Sequence, residues 1–461
     1  MDNQHFLDWL RAARRDRDGG SSARKRPRPS DSADIIDPPT PATMETIPDK
    51  RRRIGPSASH GGAGEDRTPR PRRPFSRAAL SPKRSASFVD ESSIRSHARS
   101  HASSSIMSEP SSNASARKIR RHVQLGPDPV KFMPFAEAGD NIPRALKELL
   151  LDFNKVEAGA VPIISHSRRD EIRRSEARVG VFENAFLSEG AGQGEVESPP
   201  LEDVLRIMRM ANECAALRCD EHAWNCGVHF PLLRLAIPEN SLLKIVPCTS
   251  ARVSNKQFLP ASVPNDKMVD FCLAIDPYWP LETEDSTPAS VAVDEVRLSL
   301  SSYSISHTDY APLAQYPIAL SIAAKHQNGS GAEAEAQLGV WQTAQWKMLE
   351  AMVYSGLAPQ GSDAGDIVGL AANPSPGACL EELGFLPGIY IVGHRWTFAA
   401  TTRDPESGRT TLWTGKDFGS TSDALGIYRI IWCLRRIQKF LTEVYWPWYQ
   451  KYVLDMEMSD G

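Results

Sequence analysis

One apolar segment near the middle of the chain, PIALSIAAK at residues 317–325, limits the possible folds most strongly. A run of this length that is apolar or small up to its last residue is typical of a strand buried in a sheet. Ile318, Leu320, Ile322 and Ala324 would point to one face, and Ala319, Ser321, Ala323 and Lys325 to the other. Lys325 is then either a cation in a pocket or the point at which a core strand meets water.

A second strand is predicted at residues 267–275, KMVDFCLAI, with Asp270 in the middle of an apolar run. An unpaired carboxylate is costly to bury, so Asp270 is expected to have a partner or to face a polar cleft or a metal. If the two strands pair, Asp270 and Lys325 meet in one cleft, with Glu221 on an earlier helix and Gln337 on a later one. Carboxylates bind Mg²⁺, and a lysine beside the metal can orient or deprotonate a water.

The remaining patterns predict an α/β or α+β body of one large domain. Apolar residues recur at helical spacing in residues 142–156, 198–217, 220–237, 333–353 and 424–445, and strand-like segments lie at 388–402 and 410–415. Pro231 is expected to kink the third of these helices. The aromatic segment WPWYQKY, residues 446–452, is interpreted as a packing or dimer patch.

The first 122 residues have a different composition, rich in Ser, Pro, Arg and His and low in aliphatic residues, which is typical of a disordered arm. They carry 25 Lys and Arg against 14 Asp and Glu, whereas the remainder carries 29 against 43. Basic clusters at 24–29, 49–53 and 70–73 are typical of nuclear-localisation signals and also suit loose phosphate contact. We therefore expect a nuclear protein, or otherwise a cytoplasmic one, with nucleic acid as a partner.

Several classes of protein are not favoured. Seven cysteines, an odd number without regular short spacing, argue against a secreted disulfide framework. The spacing of Cys214, Cys219, His222 and Cys226 matches no common structural zinc pattern. No signal peptide and no run of about 20 apolar residues is recognisable, so a membrane span is not expected.

Motifs spaced along residues 145–450 resemble a group of fungal PD-(D/E)XK nuclease-like proteins of the restriction-endonuclease-like superfamily. They are EHAWNCGVHFPLL, TSARV, KMVDFCLAI, YPIALSIAAK, AEAQLGVWQTAQW, FLPGIYIVGHRW and FGSTSDALGIYRII, in this order. The resemblance implies a central mixed sheet flanked by helices in residues 123–450, between the arm at 1–122 and a short tail at 451–461. It also implies phosphodiester hydrolysis with Mg²⁺, in which Asp270 and Glu221 bind the metal and Asp270, Lys325 and Gln337 act in catalysis.

One departure from the superfamily pattern concerns the acid of the (D/E)-x-K triplet, which falls on Ala323. An acid and a lysine two residues apart share one face of a strand, so the change removes a metal ligand beside Lys325. Glu333 or Glu335 on the following helix would be the acids placed to replace it. The predicted function is therefore weak or lost hydrolysis of DNA or RNA by a possible homodimer. The alternatives are a degenerate nuclease fold that binds nucleic acid or protein, and an interaction scaffold with no nucleic-acid role.

Overall fold

A computed structural model of the protein describes residues 120–126, 129–175, 180–190, 197–259, 269–280, 286–356 and 375–456. The predicted arm, up to residue 119, lies outside the described residues, and so do its three basic clusters. The end of the predicted tail, residues 457–461, lies outside them as well.

The described residues form a seven-stranded mixed sheet. In chain order its strands are β1 (Val130–Pro134), β2 (Leu243–Pro247), β3 (Phe271–Ile275), β4 (Ile318–Lys325), β5 (Leu386–Val392), β6 (Arg395–Arg403) and β7 (Thr410–Ser420). Their order in space is β1-β7-β6-β5-β4-β3-β2. The β1–β7 and β4–β5 pairs are parallel, and the other pairs are antiparallel. The two apolar strands identified from the sequence, β3 and β4, pair with each other.

Helices surround this sheet. They are α1 (Arg144–Glu157), α2 (Arg169–Arg174), α3 (Leu201–Ala216), α4 (Glu221–Trp224), α5 (Phe230–Ala236), α6 (Pro288–Ser299), α7 (Gly331–Gly356), α8 (Pro376–Leu383), α9 (Ala424–Phe440) and α10 (Trp446–Tyr452). Two π-helical turns, Asn225–His229 and Leu441–Tyr445, join α4 to α5 and α9 to α10. The predicted α/β class, a central mixed sheet flanked by helices, is confirmed.

Both faces of the sheet are covered, which explains why β4 is buried along its whole length. On one face, the indole of Trp341 in α7 donates a hydrogen bond of 3.1 Å to Ser321. On the other face, Trp396 packs against the ring of His229, and α9 lies against Gly419 in β7. Since neither face meets water, the apolar character of β4 on both faces follows from its position.

Pro231 does more than the predicted kink. The helix continues through residues 221–236, but its middle widens into the π-helical turn that ends directly before Phe230 and Pro231. Proline lacks an N–H and its ring crowds the carbonyl one turn earlier, so the helix before it departs from regular α geometry. The turn places Asn225 and His229, both buried, towards the sheet.

Within the described residues, no helix is both long enough and apolar enough to cross a membrane.

The C-terminal aromatic segment WPWYQKY is largely buried. Trp446, Trp448 and Tyr449 are buried, and Trp448 donates a 2.7 Å hydrogen bond to the carbonyl of Cys379. This aromatic segment therefore packs inside the molecule.

Candidate active site

Asp270 is fully buried at the entrance to β3. The predicted position in the middle of a strand is wrong, since β3 begins one residue later at Phe271. Its Oδ2 accepts a hydrogen bond of 2.8 Å from the backbone N–H of Ala324, and its Oδ1 accepts one of 2.9 Å from the side-chain amide of Asn225. The partners expected from the cost of burying a carboxylate are therefore present.

Lys325 ends β4 one residue beyond the N–H that binds Asp270. Its Nζ lies 3.1 Å from Oε2 of Glu221, which is the first residue of α4. The lysine side chain is 8% exposed and that of Glu221 is 24% exposed, so the pair lies at the edge of the interior with its carboxylate nearer to solvent. Asp270 thus contacts the end of β4 one residue before Lys325, and Lys325 contacts Glu221, so three of the four site residues predicted from the sequence lie at this strand end.

The β5–β6 turn closes the site from the side of the neighbouring strands. The N–H of Gly393 donates a 2.9 Å hydrogen bond to the carbonyl of Lys325. Gly393 has φ +54°, and a Cβ at this position would collide with Gln327 in the segment that follows β4. Glycine is therefore required here for the turn to approach the end of β4.

Gln337, the fourth predicted residue, lies in the second turn of α7. Its side-chain amide donates a 3.4 Å hydrogen bond to Glu333, one turn earlier on the same helix. Glu335 accepts a hydrogen bond of 3.3 Å from Thr414 in β7, and it forms an ion pair of 3.4 Å with Arg120. Both acids considered as replacements for the missing ligand therefore already have hydrogen-bond partners: Glu333 bonds to Gln337 on α7, and Glu335 bonds to Thr414 on β7.

Ala323 is fully buried and lies in register with Tyr390 on β5. Burial raises the pKa of the Tyr390 phenol to about 12, and the nearby Glu335 carboxylate contributes to the same shift. The phenol lies 3.2 Å from the Thr414 hydroxyl. The position where the superfamily pattern has an acid is thus occupied by a methyl group beside a tyrosine that stays neutral at physiological pH.

Sequence reasoning missed the contribution of Asn225 to this site. Its side chain lies between Asp270 and His229, whose Nδ1 is 3.0 Å from the Asn225 amide oxygen. His229, interpreted from the sequence as a core or cleft-edge histidine, is buried, with its Nε2 3.3 Å from the carbonyl of Gly393. The only available signal was the four-residue spacing of Asn225 and His229 just before Pro231.

Two buried histidines give the protein a pH-dependent stability. Burial lowers the pKa of His229 from 6.5 to about 4 and that of His307 from 6.5 to about 3. Between these values and 6.5 the unfolded chain binds more protons than the folded chain, so folding is favoured less as the pH falls. We expect the free energy of unfolding to decrease from about pH 6.5 to pH 4, by up to roughly 3 kcal/mol for each histidine. Urea denaturation at several pH values measures this decrease. His307→Leu should make the free energy of unfolding depend less steeply on pH. A pH dependence that is the same in the variant and the wild type would contradict the contribution of His307.

A metal at this site would have few protein ligands. Asp270 and Glu221 offer carboxylate oxygens, the ligands that Mg²⁺ prefers, and Mg²⁺ often uses only one or two carboxylates with waters completing its shell. The donor set therefore suits Mg²⁺, although the part of the chain that the structure describes contains no group of three or more His, Cys, Asp or Glu placed to bind a metal.

Two of the four residues weighed as a zinc pattern in the sequence contact each other: Sγ of Cys226 lies 3.7 Å from Nε2 of His222.

A comparison with known protein families gave a match. The family model that matches is described as PD-(D/E)XK nuclease superfamily and covers residues 171–446, more than half of the chain. No curated protein and no solved structure gave a match. The matched region begins in α2, ends at the start of α10, and contains the site residues described above.

Proposed function

Because the chain belongs to the PD-(D/E)XK nuclease superfamily, we propose that it binds nucleic acid and hydrolyses its phosphodiester bonds slowly with Mg²⁺. The observation that carries the proposal is the meeting of three charged groups at the end of β4. The Asp270 carboxylate is bonded to the N–H of Ala324, and the next residue, Lys325, is paired with Glu221. These groups come from separate elements of the fold, so a purely local role does not explain their convergence.

Asp270 and Glu221 are the residues that would hold the metal. A bound Mg²⁺ would supply positive charge to polarise a phosphate oxygen. With Ala323 in place of the third ligand, we expect weak metal binding and slow turnover.

Lys325 is the residue that would act on the reacting groups. Its ammonium donates hydrogen bonds and would orient the attacking water or stabilise charge that develops on the phosphate. Glu221 holds the ammonium at the mouth of the site, 3.1 Å away, and leaves two of its three N–H directions for other acceptors. Gln337 is proposed to contact the substrate from α7.

A second candidate function is nucleic-acid binding without cleavage. It is favoured by the fully buried Ala323, where the strand offers no oxygen ligand beside Lys325. In this case Lys325 would act as a fixed cation for a phosphate rather than for a reacting water. Measurements of cleavage and of binding on the same preparation separate the two functions.

Lys325→Ala is the direct test of the proposed chemistry. We expect slow cleavage of plasmid DNA or of RNA in Mg²⁺ or Mn²⁺, none in EDTA, and a loss of about 100-fold in Lys325→Ala, comparable to removing one donor that stabilises transition-state charge. Lys416→Ala is a matched control, since Lys416 is also a largely buried lysine paired with a glutamate, Glu157. Cleavage that survives in Lys325→Ala would exclude this site, and binding without any cleavage by the wild type would favour the second function.

The basic arm is proposed to hold nucleic acid loosely and to direct the chain to the nucleus. Serine substitution of the Lys and Arg residues in clusters 24–29, 49–53 and 70–73 should weaken binding and flatten its dependence on salt, because fewer counterions are then released. Binding titrations at several salt concentrations measure the slope, and a fluorescent fusion reports the location. A salt dependence that is the same in the wild type and the serine variant would assign phosphate contact to the folded body alone.

Self-association of the chain is a separate proposal, which analytical ultracentrifugation tests.

A further inference from the structure

The hydrogen bonds around Asp270 form a chain that continues away from the site. From the carboxylate it runs through the Asn225 amide to Nδ1 of His229, whose Nε2 lies 3.3 Å from the carbonyl of Gly393. We propose that Asn225 and His229 are positioning residues that fix the orientation of the Asp270 carboxylate. This inference rests on the proposed function for its catalytic consequence, whereas its structural content can be tested without any activity.

The direction of this chain follows from the chemistry of its first member. Asp270 accepts a hydrogen bond at each oxygen, from the Ala324 N–H and from the Asn225 side chain, so the Asn225 amide presents its NH₂ group to Asp270. Its oxygen then faces His229, and Nδ1 of the imidazole must carry the proton to form the 3.0 Å hydrogen bond. The acceptor oxygen of Asp270 therefore selects both the orientation of the Asn225 amide and the tautomer of His229.

The tautomer with its proton on Nδ1 leaves the carbonyl of Gly393 without a hydrogen bond from His229. A neutral imidazole carries a single proton, and burial keeps the pKa of His229 at about 4, so the ring is neutral at pH 7. With the proton on Nδ1, Nε2 faces the Gly393 carbonyl at 3.3 Å without a hydrogen to share. If Asn225 did not direct the proton, the other tautomer would satisfy Gly393, so the amide and the carbonyl compete for one proton.

The imidazole is held by packing as well as by hydrogen bonds. Its ring stacks on Trp224 at 5.7 Å between centroids and meets Trp396 edge to face at 5.8 Å. Both indoles and the imidazole are fully buried. Because the ring is held between two indoles, its Nδ1 has a fixed position from which it bonds to Asn225. The π-helical turn that contains both residues places them at the end of β4.

Nitrogen-15 NMR of the full-length, metal-free protein labelled at histidine tests the direction of the chain. We expect the wild-type His229 signal, assigned by its loss in His229→Phe, to show a protonated Nδ1 and a bare Nε2 at pH 7. In Asn225→Ala the proton should move to Nε2, which then donates to Gly393. A protonated Nε2 in the wild type, or a tautomer that Asn225→Ala does not change, would overturn the proposal whether or not the protein cuts nucleic acid.

Metal titration tests the consequence for Asp270. Asn225→Ala and His229→Phe should weaken Mn²⁺ binding by about 10–100-fold, the effect typical of removing groups that orient a metal ligand. His229→Asn, which keeps an amide N–H near the position of Nδ1, should restore part of the affinity, whereas His229→Phe keeps only the packing. Equal affinities in the Phe and Asn variants would reduce His229 to a space-filling residue and refute the positioning role. If the wild type binds no Mn²⁺, the proposed function fails, and the tautomer measurement still decides the inference.

Discussion

Ala323→Glu is expected to turn a weak metal site into a stronger one and to make the stability of the protein depend on metal. Position 323 is fully buried beside Tyr390, so the new carboxylate loses its hydration and should lower the free energy of unfolding in EDTA by roughly 2–4 kcal/mol. Mn²⁺ at about 100 times its dissociation constant should restore about 2.7 kcal/mol, because it binds only the folded chain. Cleavage should rise by about 10–100-fold or more, since a direct ligand contributes at least as much as an outer one.

Ala324→Glu provides the matched control for this prediction. Ala324 is equally buried on the same strand, but its side chain points to the opposite face of the sheet. It should destabilise the protein in EDTA without recovery in Mn²⁺. Thermal denaturation of both variants with EDTA, Mg²⁺ and Mn²⁺ gives the comparison. Equal behaviour of the two variants would show that the face of Ala323 is not the metal-binding side.

Asp270→Ala is expected to be among the most destabilising single changes in the described part of the chain. The carboxylate accepts hydrogen bonds from Asn225 and from the N–H of Ala324, and its removal leaves two buried donors without this acceptor. Each such loss costs about 1–3 kcal/mol, so we expect the free energy of unfolding to decrease by roughly 2–5 kcal/mol and metal binding to disappear. Asp270→Asn keeps the shape and one acceptor, so it should lose metal binding with a smaller loss of stability.

Urea denaturation measures this effect, with Asp294→Ala as the control. Asp294 is a partly exposed carboxylate paired with Arg297, and surface pairs of this kind contribute up to about 1 kcal/mol. An Asp270→Ala protein as stable as the wild type would mean that desolvation of the carboxylate already cancels its hydrogen bonds. Asp270 would then be retained for its chemistry rather than for folding.

The sequence predicts the frame of the site well because the frame depends on local patterns. The strand predicted at 317–325 is observed as Ile318–Lys325, since a short apolar run that ends at a charged residue is typical of a strand buried on both faces. The strand predicted at 267–275 is shorter, Phe271–Ile275, so Asp270 lies before it. Alternation alone does not show where a chain bends into a strand, because Val269 and Asp270 continue the same pattern.

The connections within the site could not be predicted in the same way. In a helical pattern, Asn225 is an unremarkable polar residue next to Trp224. Its role depends on the π-helical turn and on the carbonyl of Gly393, which lies 164 residues beyond His229 in the chain. Such contacts are set by tertiary packing rather than by local preference, and no periodicity carries them.

The two π-helical turns share one strand. The first, Asn225–His229, reaches the C-terminal end of β4 through Asp270 and the N–H of Ala324. The second, Leu441–Tyr445, reaches its N-terminal end, where the hydroxyl of Tyr445 donates a 2.7 Å hydrogen bond to the carbonyl of Ile318. Each turn is followed by a proline, Pro231 or Pro447, in the first positions of the next helix. A π turn holds one residue more than the α turn it replaces, so deleting one residue within either turn would restore regular α geometry there. The deletion would remove the widened turn that reaches β4, and the contact at that end of the strand should be lost while the helices on either side of the turn remain.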